Sequence, residues 1–168
     1  RSLGRKFVVS VEMDPPKGAD TGVFLEKAQW LEEKEIEFLN IGDGPRASAR
    51  MSALSFAVLL EQQVGIETIL HYQCRDRNLI GIQSDLLGAQ ALGLRNILAV
   101  TGDPPKLGDY PRATAVFDVD SVGLVKILSL LNRGLDLAAN PLGPALPFHI
   151  GVGVNPGATD FDAEIRKF

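Results

Sequence analysis

Apolar residues fall along the chain in two alternating patterns. Short, nearly all-apolar runs rich in β-branched residues occupy positions 7–13, 37–41, 67–72, 96–101 and 148–154. Runs of this kind predict strands covered on both faces. Between them, positions 21–34, 47–63, 79–92 and 120–132 carry apolar residues at helical spacing, and 162–168 begins a fifth helix. The segment ends fit: Asp20 or Thr21, Ser48, Asn78, and Asp118 or Asp120 stand where N-caps belong, while Gly65, Gly93 and Gly134 stand where helices stop. The pattern repeats every thirty residues or so, roughly the size of a βαβ unit.

Strict alternation leaves two α/β architectures, an open doubly wound sheet or a parallel (β/α)8 TIM barrel. The open-sheet fingerprint is missing. Asp14-Pro15-Pro16-Lys17-Gly18 follows the first strand in place of a glycine-rich phosphate turn, and Gly151-Val152-Gly153-Val154-Asn155-Pro156 has proline where the third glycine belongs. The barrel is therefore expected, with only about the first five βα units in residues 1–168, since eight units take roughly 250 residues. A partial barrel domain of this kind has two open strand edges, so association or disorder is expected of it alone, and a homo-oligomer is the partner reading.

Composition narrows the partners. The chain has 168 residues, 45% hydrophobic, enough for one buried core, and its net charge of −4 with scattered Lys and Arg argues against nucleic acid. No apolar run approaches the roughly 20 residues that cross a bilayer, so no membrane role is expected. The lone cysteine, Cys74, has no internal disulfide partner, which points to a reducing, cytoplasmic setting.

In a barrel, chemistry collects at the carboxyl ends of the strands. The polar residues there are Glu12, Asn40 with Asp43, His71 with Gln73 and Cys74, Thr101 with Asp103, and Asn155. Glu12 is the only acid in its strand, where apolar neighbours would keep a proton available for donation; the alternative is a glutamate at a solvated edge. His71 is read as functional or as a structural hydrogen-bonding residue, with nothing local to decide. Cys74 lacks metal-ligand companions and is expected to be a small apolar filler. Thr101-Gly102-Asp103-Pro104-Pro105 combines close backbone approach with a stiff exit, and positions 106–117 form a loop long enough for binding. Arg46 and Arg50 are placed in the first turns of the second helix, where they suit an anion or a solvated surface.

Glu12-Met13-Asp14-Pro15-Pro16, His71-Tyr72-Gln73-Cys74 and Thr101-Gly102-Asp103-Pro104-Pro105, in that order and spacing, resemble methylenetetrahydrofolate reductase. The segments 40–52, Phe117-Asp118-Val119-Asp120-Ser121 and 131–136 are nearer to the version fused behind a homocysteine S-methyltransferase domain. The resemblance implies a flavoprotein in which NAD(P)H reduces FAD, and the reduced flavin converts 5,10-methylenetetrahydrofolate to 5-methyltetrahydrofolate for methionine synthesis. It implies Glu12 as the acid that protonates folate N10, and Asp103 as the carboxylate that tunes the flavin and contacts the pterin. His71, Thr101, Gly102, Asp103, Phe117, Asp118 and Asp162 correspond to FAD-contacting segments. Gly42-Asp43 stands where plain bacterial reductases carry a hydroxyl pair, and Asn155 where they often have tyrosine. The family's pterin-binding glutamine and a lysine beyond Asp162 fall after Phe168. The competing expectations are a non-catalytic docking module and a flavin-free folate-binding methyltransferase barrel.

Overall fold

The computed structural model describes residues 7–167. Five strands, β1 (Ser10–Met13), β2 (Phe38–Ile41), β3 (Glu67–Gln73), β4 (Asn96–Val100) and β5 (His149–Val152), lie side by side in chain order, every neighbouring pair parallel. An open dinucleotide-binding sheet reverses its strand order part-way; this sheet does not. The helices alternate with the strands: α1 (Gly22–Glu33), α2 (Ala53–Gln63), α3 (Leu79–Ala91), α4 (Ser121–Leu131) and the short α5 (Phe161–Ile165). None is long and apolar enough to cross a membrane.

Local chemistry explains most boundaries. Asn78 and Asp120 cap α3 and α4 by accepting from Gly81 N and Gly123 N at 2.8 and 2.9 Å, which satisfies donors that a helix start leaves unpaired. Asp20 accepts from Gly22 N at the start of α1. The predicted stops Gly65, Gly93 and Gly134 all have positive φ, as helix-ending glycines do.

Three expectations move. The first strand begins at Ser10, not at residue 7, because β2 supplies only four partner residues. The second helix starts at Ala53 and is capped by Ser52, whose hydroxyl accepts from Ser55 N; Ser48 is not its cap. Residues 45–47 instead make a single 3-10 turn, with Arg46 and Ala47 at φ 54° and 53°. Arg46 and Arg50 therefore lie on a loop ahead of the helix. The last helix opens at Phe161 with Asp160 as its cap; its predicted end at Phe168 lies outside the described residues.

Side chains alternate across the sheet. Leu39, Ile41, Leu70, Tyr72, Ile97 and Ala99 point to the helices and pack on Phe56, Leu60, Ile82, Leu86, Leu124 and Ile127, all essentially inaccessible. The opposite, inner face carries in-register rows of mixed character, one of them Glu12, Asn40, Ile69, Asn96 and His149. Strands clad on one face only do not match the all-apolar reading of the runs; most of the polar members stand on the inner face, while Thr68 and Thr101 turn to the helices and bond to Glu61 and Ser121.

Candidate functional site

The inner face has a polar seam that runs from the start of β1 toward the carboxyl-end half of β3. Asn40 Nδ2 donates to Ser10 Oγ at 2.8 Å, which turns Asn40 Oδ1 toward His71 Nε2 at 3.3 Å and gives His71 the role of donor there. His71 is half-buried, and desolvation lowers its pKa although Glu12, Asp43 and Asp14 all act to raise it. Its ring is accordingly neutral near pH 7. Glu12 stands on the same face, exposed and not enclosed by apolar neighbours, because nothing among the described residues covers this side of the sheet. Its Oε1 lies 3.7 Å from the point where a Cβ on Gly42 would stand, and Asp14 Oδ1 lies 2.6 Å from the same point. Gly42 thus makes room for the Asp14 carboxyl beside Glu12, and Oδ1 of Asp14 is buried without a hydrogen-bond partner among the described residues.

The loops beyond β2, β3 and β4 form a knot around Asp103. The Arg46 N–H donates to Asp103 Oδ2 at 2.8 Å, and the Arg75 guanidinium reaches both Asp103 O at 3.1 Å and Gly44 O at 3.4 Å. Arg75 is held in turn by a two-pronged pair with Asp76, at 2.7 and 2.8 Å. Gln73 bonds to both the Asp76 carboxylate and the Arg75 N–H. Gly102, at φ 95°, has Gln73 and Arg75 so close that a Cβ would press on both. Farther out, Ala49 N donates to Asp109 at 3.0 Å, and Arg50 bonds to Pro15 O at 2.8 Å and faces Asp14 at 3.5 Å.

Behind β3 a second network ties loop to core. Arg77 pairs with Asp43 at 2.7 Å and Asp85 at 3.0 Å, and its guanidinium lies 4.5 Å from the centre of the Tyr72 ring. Tyr72 donates its hydroxyl to Asp85, and Gln73 N donates to Asp43. A cavity of about 300 Å3 touches Asp43, Ser48, Arg50, Arg75 and Arg77. Its arginines are bonded to acceptors of the protein itself, so the cavity is the hollow of a structural knot and not an anion site. A larger space of about 640 Å3 lies at the opposite, amino-end half of the inner face, against Ser10, Phe38, Glu67 and His149, away from the strand ends where βα folds do chemistry. No group of His, Cys, Asp and Glu among the described residues is arranged to hold a metal ion.

The remaining sequence-predicted residues are spread more widely. The Thr101 hydroxyl accepts from Ser121 N at 3.1 Å, on the helix side of the sheet. Of the two acids ahead of α4, Asp120 is the cap, and Asp118 accepts from Leu79 N and so braces the start of α3. Phe117 is half-buried against the core at φ 44°, and Asp162 is exposed in the first turn of α5. Cys74 is fully buried, as a filler should be, and burial pushes its thiol up to about 11.

The family comparison adds an independent observation: residues 2–138 match methylenetetrahydrofolate reductase. The chain belongs to the methylenetetrahydrofolate reductase family. The match spans the first four βα units and ends before β5, so Asp162 lies beyond it. Two family members show the same relation. A protein of Caenorhabditis elegans named probable methylenetetrahydrofolate reductase (NADPH) is 33% identical over 103 residues, which is 57% of this chain and 15% of that protein. One of Oryza sativa subsp. japonica, named probable methylenetetrahydrofolate reductase (NADH), is 29% identical over 103 residues, 60% of this chain and 17% of its own length. The chain thus spans about a sixth of the length of these reductases.

The sequence reading overlooked Arg75, Asp76 and Arg77. Three consecutive charges directly after an apolar strand were the available signal, since charges in that position are buried only when paired.

Proposed function

We propose that this chain is the first part of a (β/α)8 reductase barrel that reduces 5,10-methylenetetrahydrofolate to 5-methyltetrahydrofolate with NAD(P)H and FAD, and that it works beside a homocysteine S-methyltransferase domain. The observation that carries the reading is that Glu12 and His71 share one face toward the carboxyl ends of β1 and β3, near enough for the Glu12 charge to act on the imidazole, in a chain of this family. A five-stranded parallel sheet in unbroken chain order is the arc that such a barrel requires.

The residues present fit a flavin. Asp103 is exposed with one carboxylate oxygen held, Gly102 keeps the neighbouring backbone free of a side chain, and His71 offers a neutral imidazole. His71, Thr101, Gly102, Asp103, Phe117, Asp118 and Asp162 are the residues assigned to hold it. FAD, when bound, would supply the hydride carrier between the nicotinamide and the methylene carbon. Glu12 delivers the proton to folate N10, which turns a poor leaving group into a good one. With FAD bound, Asp103 would hold a fixed negative charge near its ring, a placement that would favour release of hydride over build-up of negative charge.

The test uses the intact protein with FAD added. NAD(P)H should bleach the flavin absorption, and methylenetetrahydrofolate should restore it. Glu12→Gln should keep the bleaching and lose the restoration, by about a hundredfold or more. A protein that stays colourless, or a Glu12→Gln variant that reoxidises at the normal rate, refutes the proposal.

A further inference from the structure

Asp103 does not stand alone at the end of β4. Both restraints on it run through one buried side chain. The Arg75 guanidinium, with 6% of its side chain exposed, donates directly to the Asp103 carbonyl. The same nitrogen donates to the Gly44 carbonyl, and so holds the turn whose Arg46 N–H grips Asp103 Oδ2. That turn is strained, with Arg46 and Ala47 both in the left-handed region that L side chains disfavour. It therefore needs an external tie to persist. Glycine 44 is part of the same fit, because a Cβ there would come within 2.9 Å of Arg75 Nη2. The Arg75 carbonyl accepts from Val116 N at 2.8 Å, which closes the far end of the β4–α4 loop beside Phe117. Asp76 fixes the orientation of the fork by taking Nε and Nη2, which leaves Nη1 for the two loop carbonyls. A lysine has the charge but not this geometry.

We propose that Arg75, oriented by Asp76, is the positioning residue for Asp103, acting on the folate half of the reaction without touching flavin or folate. The proposal rests on the reading of Asp103 given above. If Asp103 acts by the placement of its charge, displacing it costs rate, and an error of about 1 Å in an active site can cost a hundredfold.

Arg75→Lys is compared with wild type and with Asp103→Asn in the intact protein, by two readouts. The first is hydrogen exchange of the Arg46 amide without flavin, which reports the bond to Asp103 in any folded variant. It should quicken about tenfold as the turn loses its tie. The second is the reoxidation rate of the reduced holoenzyme by methylenetetrahydrofolate. Arg75→Lys should slow it by about ten- to a hundredfold in the wild-type background and have little further effect once Asp103 is Asn, as residues acting through one another do. A purely structural role would slow both backgrounds by the same factor, which overturns the proposal, as does unchanged exchange at Arg46. Should Arg75→Lys fail to fold, Asp76→Asn, which frees the fork while keeping its size, is put through the same cycle with the same expectations. Faster exchange in a protein that binds no flavin would sink the reductase reading and leave the positioning role standing. An active holoenzyme with additive effects would do the reverse.

Discussion

Arg77→Met probes the network behind β3. Arg77 and Asp43 are 17% and 9% exposed at the side chain, and among the described residues the other donor bonded to Asp43 is the Gln73 N–H. Removing one partner of a buried pair typically costs about 3–5 kcal/mol, because the remaining charge is left unpaired. Asp85, at 41% exposure, can turn to water, so the loss should fall at the low end, about 3 kcal/mol. Methionine keeps part of the packing over Tyr72. For a chain of this size that loss lowers the melting temperature by roughly 6–12 °C. The informative comparison is the double variant Arg77→Met with Asp43→Asn: asparagine carries no charge and its carbonyl still accepts from Gln73 N, so at least half of the loss should return. Urea unfolding followed by circular dichroism measures all three proteins. A single variant costing less than about 1 kcal/mol would place the pair among ordinary surface contacts. A double variant no more stable than the single one would refute the unpaired-charge argument.

His71 gives a pH dependence of known sign. Burial lowers its folded pKa below the ordinary value of 6.5, so between the two values the unfolded chain binds more protons than the folded one. Stability is complete above pH 6.5 and falls as the pH drops toward the folded pKa; His71→Gln should flatten that part of a melting-temperature profile, and an unchanged slope contradicts the assignment. Cys74, buried and with its thiol raised to about 11, should resist a disulfide reagent at pH 8 in the folded protein and react promptly in urea. Rapid labelling without denaturant would show that the strand end opens. Gly108→Ala drives a Cβ into the Ala47 carbonyl and should part the two loops at a cost of about 2 kcal/mol, seen as faster exchange of the Ala49 amide that Asp109 holds.

The alternation of strands and helices was legible because each element is decided largely by its own residues: apolar runs of strand length, and caps such as Asn78 and Asp120 within three residues of the donors they satisfy. The start of α2 was not. Positions 47–52 continue the apolar spacing of a helix, yet their backbone is claimed from outside. Arg46 N goes to Asp103, Ala49 N to Asp109 and Met51 N to Pro16 O, partners 35 to 60 residues away that no local pattern announces. Asp118 misleads for the same reason: three residues ahead of its own helix it resembles a cap, and folding delivers it to Leu79. The site divides along the same line. Glu12, His71 and Asp103 could be picked out from where strands end. The arginine that holds Asp103, and the glycine that lets Asp14 stand beside Glu12, express three-dimensional fit.

The unbroken order of the strands bears on how the protein is made. Each strand pairs with the one synthesised just before it, and the helix between them is complete by the time the next strand emerges. Among the described strand pairs, none joins strands distant in the chain. A nascent chain can therefore lay down the sheet unit by unit at the pace of translation, exposing only one fresh edge at a time, which shortens the interval in which unpaired backbone invites aggregation. Insertions at the βα loops would leave that sequence of events intact. A circular permutation that separates β3 from β4 would interrupt it, since theirs is the longest shared register in the sheet.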